Sequence, residues 1–324
     1  MTKKIQNILV TGAKGQIGSE LTVALRKKYG AQKVIATDLK ADLDDNKKKS
    51  EPFYVVDVCS YESIKKVVTK HNIDTIVHMA AILSGVGEKN PALAWDVNMN
   101  GTINILNIAR EHKMVQVFVP SSIAVFGQGT PLENTPNDTV LQPSTMYGVT
   151  KVCGELLCDY YVNNYNLDVR GLRYPGIISA ETLPGGGTTD YSVAIYYEAI
   201  KQKKYTCFVS EGTRLPMMYM PDCIKATMDL MAAAPDKLKH HSNFNVGAMS
   251  FDVKTLANEI KKHIPEFKVD YVPDFRQAIA DSWPASVDDS YARKEWGWSP
   301  SWDLSSMTKD ILKKLGKRHA EGKL

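Results

Sequence analysis

A glycine-spaced turn, TGAKGQIG over Thr11 to Gly18, stands near the start of this chain between a short apolar run and a helical pattern. Few sequence features restrict a fold more. Ile8-Leu9-Val10 before it reads as a buried strand. Gln16 to Lys28 after it places Ile17, Leu21, Ala24 and Leu25 at the 3.6-residue period of a helix. Gly12, Gly15 and Gly18 permit a tight turn and a close approach of bare backbone. The helix N-terminus behind them offers unpaired N–H groups and the positive end of the helix dipole, which suits a pyrophosphate. A glycine triplet in a free surface loop would not need a strand and a helix on its two sides.

The pattern then alternates. Lys33 to Thr37 makes a second strand ending at Asp38, and further strands are expected at Phe53 to Val56, Thr75 to His78, Val117 to Val119 and Val169 to Leu172. Helices are expected at Tyr61 to His71, Ala92 to His112 and Thr145 to Asn163, and a polar loop from Ala41 to Glu51. This is the rhythm of an α/β chain of Rossmann type, a doubly wound parallel sheet with helices on both faces. After Tyr174 the rhythm breaks into glycine- and proline-rich segments such as LPGGGTTDY and RLPMMYMPD, with helices near Ser192 to Gln202, Cys223 to Ala233 and Val253 to His263. The expected organisation is a dinucleotide-binding domain over 1–173 and a smaller, mainly substrate-binding C-terminal lobe over 174–324. The two form one rigid body, with room for strands of the second part to return to the first sheet.

Asp38 lies twenty residues past Gly18. A carboxylate there accepts bonds from a ribose 2′-OH and repels a 2′-phosphate, so NAD is expected rather than NADP. Asp57, read as ending the third strand, either reaches the adenine or is an ordinary turn carboxylate. Tyr147 and Lys151 form Y-x-x-x-K in a helical segment, and an i, i+4 pair shares one helix face. With Ser144 read as the N-cap, Tyr147 falls in the first turn, where helix dipole and ammonium both favour a phenolate. Together with the upstream hydroxyl of Ser122, this is the equipment for taking a proton from an alcohol.

Composition narrows the alternatives. The chain has 324 residues, 44% hydrophobic and 23% charged, with a net charge of +4. No apolar run is long enough for a bilayer span. The basic clusters at Lys47 to Lys49 and around Lys313, Lys314, Lys317 and Arg318 read as solvated faces, and no nucleic-acid motif accompanies them. Neither a membrane nor a nucleic acid is expected as a partner. Five cysteines without C-x-x-C, and no H-E-x-x-H, suit a reducing compartment and no metal. The first strand begins within a few residues of Met1, which leaves no room for a signal peptide. A cytoplasmic location is expected, a presequence removed before residue 1 remaining open.

These residues together resemble the extended short-chain dehydrogenase/reductase superfamily. The resemblance runs over nearly the whole chain: TGAKGQIG, HMAA after the fourth strand, SSIAVFG, YGVTK, RLPMMYMPD and ARKEWGWSP. It places the catalytic hydroxyl five positions before Gly127, at Ser122 rather than Ser121. It adds Gln16, Ile17, Val58, Ala80, Ala81, Tyr147, Lys151 and Pro175 to the expected cofactor contacts, with Pro175 beside the nicotinamide or a plain loop stiffener. The sugar-nucleotide branch commonly reads R-x-x-N after the sixth strand, but here the segment is Arg173-Tyr174-Pro175-Gly176.

The stretches AAILSGVGE, GIISAETLPGGGTTDY and DSWPASVDDS instead resemble the L-threonine 3-dehydrogenase branch. That resemblance implies NAD-dependent oxidation of L-threonine at C3 to 2-amino-3-oxobutanoate by a homodimer. The alternatives are a nucleotide-sugar epimerase or dehydratase and a catalytically silent dinucleotide sensor. For the amino-acid head the expected contacts are Asp190 to the ammonium, or capping the next helix, and Ser84 and Thr189 to the carboxylate. Trp283 is an apolar wall or a packing residue. His78 is expected to be a satisfied structural histidine, and Asp288-Asp289 a helix cap.

Overall fold

The computed structural model describes residues 4–41, 51–183 and 185–324. The Lys47 to Lys49 run and the expected loop over 42–50 lie outside the described residues, as does Pro184.

The first half supplies β1 (Ile8–Thr11), β2 (Val34–Asp38), β3 (Phe53–Val55), β4 (Thr75–His78), β5 (Gln116–Phe118), β6 (Ser121–Ser122), β7 (Val169–Arg170) and β8 (Leu172–Tyr174). Six of them form one parallel sheet in the order β3-β2-β1-β4-β5-β7. The order reverses between β1 and β4, where a doubly wound sheet opens a crevice at the carboxyl ends of its strands. β1 and β4 are buried along their whole length, which explains their unbroken apolar character. β3 stops one residue earlier than expected, so Asp57 lies two residues beyond it. The expected sixth strand is divided at Gly171, where a Cβ would stand 2.3 Å from the Val119 carbonyl oxygen. The chain crosses there too closely for any side chain, and β8 continues beside β6 in a small sheet.

The covering helices are α1 (Gln16–Tyr29), α2 (Tyr61–Lys70), α3 (Ser84–Lys89), α4 (Pro91–Trp95), α5 (Gly101–Glu111) and α6 (Met146–Tyr165). The helix expected over Ala92 to His112 is α4 and α5 joined by a π-helical turn at Asp96–Asn100. That wider turn holds Asn98, whose amide bonds both the N–H and the carbonyl of Ile82 and the Thr150 hydroxyl. The N-cap of α6 is Thr145, whose hydroxyl accepts the Gly148 N–H at 3.0 Å; Ser144 instead bonds Ser282. The cap therefore falls one residue later than expected, because Ser144 is drawn to a partner outside the helix.

The second half contains β9 (Gly176–Ile178), α7 (Tyr191–Gln202), β10 (Lys204–Cys207), β11 (Arg214–Tyr219), α8 (Met220–Ala232), β12 (Phe244–Asn245), β13 (Met249–Asp252), α9 (Val253–Lys261), β14 (Lys268–Tyr271), α10 (Arg276–Asp281), α11 (Ser290–Trp296) and α12 (Leu304–Ala320). It builds the sheets β13-β11-β9 and β10-β14. It also returns to the first half, since β12 pairs with β8 and α8 packs against α1. One buried core runs through both, from Ile8 to Leu315. Of the Asp288-Asp289 pair, Asp288 accepts the Ser290 N–H at the start of α11. Asp289 holds the N-cap position without capping, its carboxylate taken by Gly247 N–H, the Trp298 indole and Arg293.

Candidate active site

The glycine turn stands as the sequence requires. Gly12 has φ +62°, and a Cβ there would lie 2.6 Å from the Ala80 nitrogen, against the end of β4. At Gly18 a Cβ would stand 2.1 Å from the Gly12 carbonyl oxygen, so only glycine lets α1 sit this close to β1. Gly15 is the N-cap of α1, no side chain caps the helix, and its first turn carries no acidic residue. A bare, uncapped helix start in a cradle that any Cβ would fill fits a dinucleotide pyrophosphate. Asp38 ends β2, and its carboxylate accepts the Lys14 N–H of the same turn at 3.0 Å. Gln16 donates to the Ile177 carbonyl at 3.2 Å and ties this turn to β9. Asp57 and Val58, like Gly12 and Asp38, lie outside the cleft lining; Asp57 accepts the Cys59 N–H of its own turn, and Val58 is buried against Gly101.

From this turn a cleft of about 410 Å³ extends along the carboxyl ends of the strands. Gly15, Gln16, Ile17 and Gly18 form one end, with Ala81 and Pro175 beside them. Ser122, Tyr147 and Lys151 line it, as do Ser84, Thr188, Thr189, Asp190 and Trp283. Ala80 lies behind it, lining a pocket of about 10 Å³ beneath Lys151. The structure thus brings together all three expected catalytic side chains and all of the expected head-group residues.

Their electrostatics differ from expectation in one respect. The Tyr147 phenol is hydrogen-bonded to Ser122, which favours its ionised form, but burial outweighs this and raises its pKa to about 12. The expected lowering does not hold in the protein alone. The Lys151 ammonium donates to the Pro120 carbonyl at 2.8 Å and lies 5.5 Å from the centre of the Tyr147 ring. Lys151 itself is lowered to about 8, first by burial. Both side chains keep part of their length open to the cleft.

His78 is structural in only one of its nitrogens. Nδ1 bonds the Thr11 hydroxyl at 2.8 Å, while buried Nε2 has no partner among the described residues and the ring borders the small pocket. Burial and the nearby Lys151 lower its pKa to about 3, which keeps it neutral.

Asp190 occupies the N-cap position of α7 yet makes no capping bond. Its Oδ2 accepts the N–H groups of Gly186 and Gly187, both at 2.7 Å, so it braces the glycine strap over 185–190. Desolvation raises its pKa despite these bonds. The Ser84 hydroxyl is buried and engaged with Thr188. Thr188, the neighbour of the expected Thr189, escaped sequence reading because two adjacent threonines are equivalent without a fold. Trp283 is a buried wall.

Gly176 is informative for the alternatives. A Cβ there would stand 2.4 Å from Met217 Sδ and 3.0 Å from Thr189 Cβ. Met217 on β11 and Thr189 of the strap together fill the space that a side chain at this position would need.

The sequence matches the NAD dependent epimerase/dehydratase family over residues 8–247. An uncharacterized epimerase/dehydratase of Staphylococcus haemolyticus is 48% identical over 312 residues, covering 96% of this chain and 98% of its own. The crystal structure of L-threonine dehydrogenase from Clostridium difficile superposes with a TM-score of 0.94 at 50% identity, covering 98% and 99% of the two chains. A monomeric L-threonine 3-dehydrogenase from a metagenome superposes with a TM-score of 0.93 at 49% identity, covering 96% and 99%.

Proposed function

The chain belongs to the NAD dependent epimerase/dehydratase family, and from that premise we infer that it is an NAD-dependent L-threonine 3-dehydrogenase. It oxidises the C3 hydroxyl of L-threonine and gives 2-amino-3-oxobutanoate, NADH and a proton. The observation that carries this reading is the cleft itself, which Ser122, Tyr147 and Lys151 line together with the strap residues Thr188, Thr189 and Asp190, Thr189 packing on Gly176. The resemblance to threonine dehydrogenases at about half identity supports the same substrate.

Bound NAD would supply the acceptor for the hydride leaving C3. Gly12, Gly15 and Gly18 would hold its pyrophosphate, Asp38 its adenosine ribose, and Pro175 and Lys151 its nicotinamide end. Tyr147 takes the hydroxyl proton as general base, and Ser122 donates a hydrogen bond to the same oxygen as it becomes a carbonyl. In the free protein Tyr147 holds its proton at neutral pH, so the bound state has to supply the positive charge that favours phenolate. Asp190 is assigned to the threonine ammonium through its second oxygen, with Thr189 and the Ser84–Thr188 pair toward the carboxylate and Trp283 as the apolar wall. We divide the labour at residue 173, with the cofactor held mainly before it and the substrate after it.

We also assign a homodimer through α6 and the α4–α5 rod. Val149, Leu156 and Tyr160 leave an exposed apolar stripe along α6, and Trp95 of neighbouring α4 is exposed as well. Sedimentation decides between this and the monomer described for the metagenomic relative. No helix among the described residues is long and apolar enough to cross a membrane, and a cytoplasmic location is the proposed one.

The test is NADH absorbance with L-threonine, other 3-hydroxy amino acids, 3-hydroxybutyrate and UDP-sugars. Threonine should be preferred. A substrate lacking the ammonium would leave Asp190 without its partner, a mismatch of several kcal/mol. Equal turnover of 3-hydroxybutyrate sinks the Asp190 assignment, and turnover of a sugar nucleotide alone sinks the threonine reading.

A further inference from the structure

Between the strap and the catalytic helix lies α3, with the sequence SGVGEK, of which the reaction above uses only Ser84. Its two ends touch different parts of the site. At one end the Ser84 hydroxyl bonds Thr188 Oγ1 at 3.0 Å and accepts the Thr188 N–H at 3.3 Å. A side chain on Gly85 would begin 2.7 Å from the Gly186 carbonyl oxygen, so α3 and the strap meet backbone to backbone. At the other end Glu88 Oε1 accepts the Met146 N–H at 2.8 Å. A Cβ on Gly87 would lie 3.9 Å from both the nitrogen and the Cβ of Tyr147. Met146 is the first residue of α6, and its N–H is one of the amides that a helix leaves without an internal partner. Thr145 serves Gly148 within the same turn, and Glu88 serves Met146 from outside it.

We propose that Glu88 is a positioning residue for Tyr147: through the Met146 N–H it fixes the turn that carries the phenol, and through α3 it ties that turn to the strap. The proposal rests on reading Tyr147 as the base and 185–190 as the substrate strap. Strap and base then move as one piece, and closing one seats the other.

Hydrogen bond and charge have separable effects. Any acceptor at this position holds the turn. A carboxylate in addition offsets the positive end of the α6 dipole, and so works against ionisation of Tyr147. The other titratable groups lining the same cleft are Lys14 in the glycine turn, Lys151 on α6, Tyr174 on β8 and Asp190 on the strap, with His78, Glu155 and Cys158 in the small pocket beneath Lys151. The neighbouring Lys89 lies over the Phe275 ring. None of these changes in a Glu88 variant.

The experiment compares wild type, Glu88→Gln and Glu88→Ala as full-length proteins. Glu88→Ala should lose about tenfold in kcat, within the hundredfold that a 1 Å misplacement costs, with NAD affinity unchanged. Glu88→Gln keeps an acceptor and should restore kcat to within about twofold. Without the charge, the acid limb of its kcat/KM profile should move down by roughly 0.2–0.7 pH units. Hydrogen exchange of the Met146 amide, read without substrate, should be fast only in Glu88→Ala. Wild-type kcat in Glu88→Ala, an unmoved acid limb in Glu88→Gln, or equal exchange in all three proteins overturns the role of Glu88. A wild type that ignores threonine but shows the expected exchange pattern overturns the substrate reading instead.

Discussion

Ser121 and Ser122 are neighbours in β6, yet their hydroxyls belong to different networks. Ser121 donates to Glu155 Oε1 at 2.5 Å, and Glu155 grips buried Arg173 with both oxygens, each at 2.8 Å. Ser122 is hydrogen-bonded to Tyr147 and borders the cleft. Both serines border the cleft and Ser122 also accepts the Ala124 N–H, but only Ser122 is bonded to the phenol.

Replacing each serine should separate the two. Ser122→Ala removes a donor to the reacting oxygen and should lower kcat about a hundredfold, with a stability cost of about 1 kcal/mol from the lost acceptor of the Ala124 N–H. Ser121→Ala leaves a buried carboxylate short of one donor and should cost about 1–3 kcal/mol in urea unfolding, with kcat within a few-fold of wild type. The reverse pattern would transfer the catalytic role to Ser121.

Tyr147→Phe should lower turnover by roughly a hundredfold or more, the usual scale for losing a general base. NAD affinity, measured by fluorescence, should hardly change. More than about a tenth of wild-type turnover would show that another group takes the proton.

Asp38 should exclude NADP by repulsion at the 2′ position. Asp38→Ser should weaken NAD and narrow the ratio of kcat/KM values for NAD and NADP. A wild-type enzyme that uses both cofactors equally would place this carboxylate elsewhere than at the ribose.

Lys151 is lowered from 10.5 to about 8 in the fold. Between these values the unfolded chain binds more protons than the native one, so the Lys151 contribution to stability rises with pH from about 8 to 10.5. Below pH 8 the cost of burying the ammonium is present in full. Lys151→Met should therefore be inactive yet more stable than wild type at pH 7, and urea titrations should show the gap narrowing by pH 9.5. A gap independent of pH would mean that the ammonium is solvated in the native state.

Gly176→Asn should displace Met217 and the strap, because its Cβ would stand 2.4 Å from Met217 Sδ and 2.9 Å from Thr189 Cγ2. The threonine KM should rise at least about tenfold with little change in NAD affinity, the pattern of lost substrate binding. An unchanged KM would show that the strap does not contact substrate.

Local patterns carried the first half of the fold. β4 spans Thr75–His78 as expected and α1 begins at Gln16, because an apolar run and an i, i+4 spacing are determined within a few residues. The second-half pairings, β10 with β14 and β11 with β13 and β9, were not legible, since each joins segments whose partners only the complete fold selects. Site residues divide in the same way. Tyr147, Lys151 and the glycines follow from spacing. Glu88 does not, because its partner is a backbone N–H 58 residues away and α3, six residues long with two glycines, has no period to read. The charge state of Tyr147 is not legible in the sequence for a related reason: helix dipole and ammonium are local, whereas burial is set by everything packed around the ring.

The small sheet β12-β8-β6 joins Ser121–Ser122, Leu172–Tyr174 and Phe244–Asn245. On the ribosome these three strands emerge one after another, and the last is only synthesised, not yet emerged, when three-quarters of the chain has been made. Until then β8 presents an open edge, the kind of surface that invites wrong pairing and chaperone capture. The strand bearing Ser122 gains its full support only after residue 245 has left the exit tunnel. In stalled nascent chains, protease protection around Ser122 should therefore appear abruptly beyond that length rather than at the end of the dinucleotide-binding half.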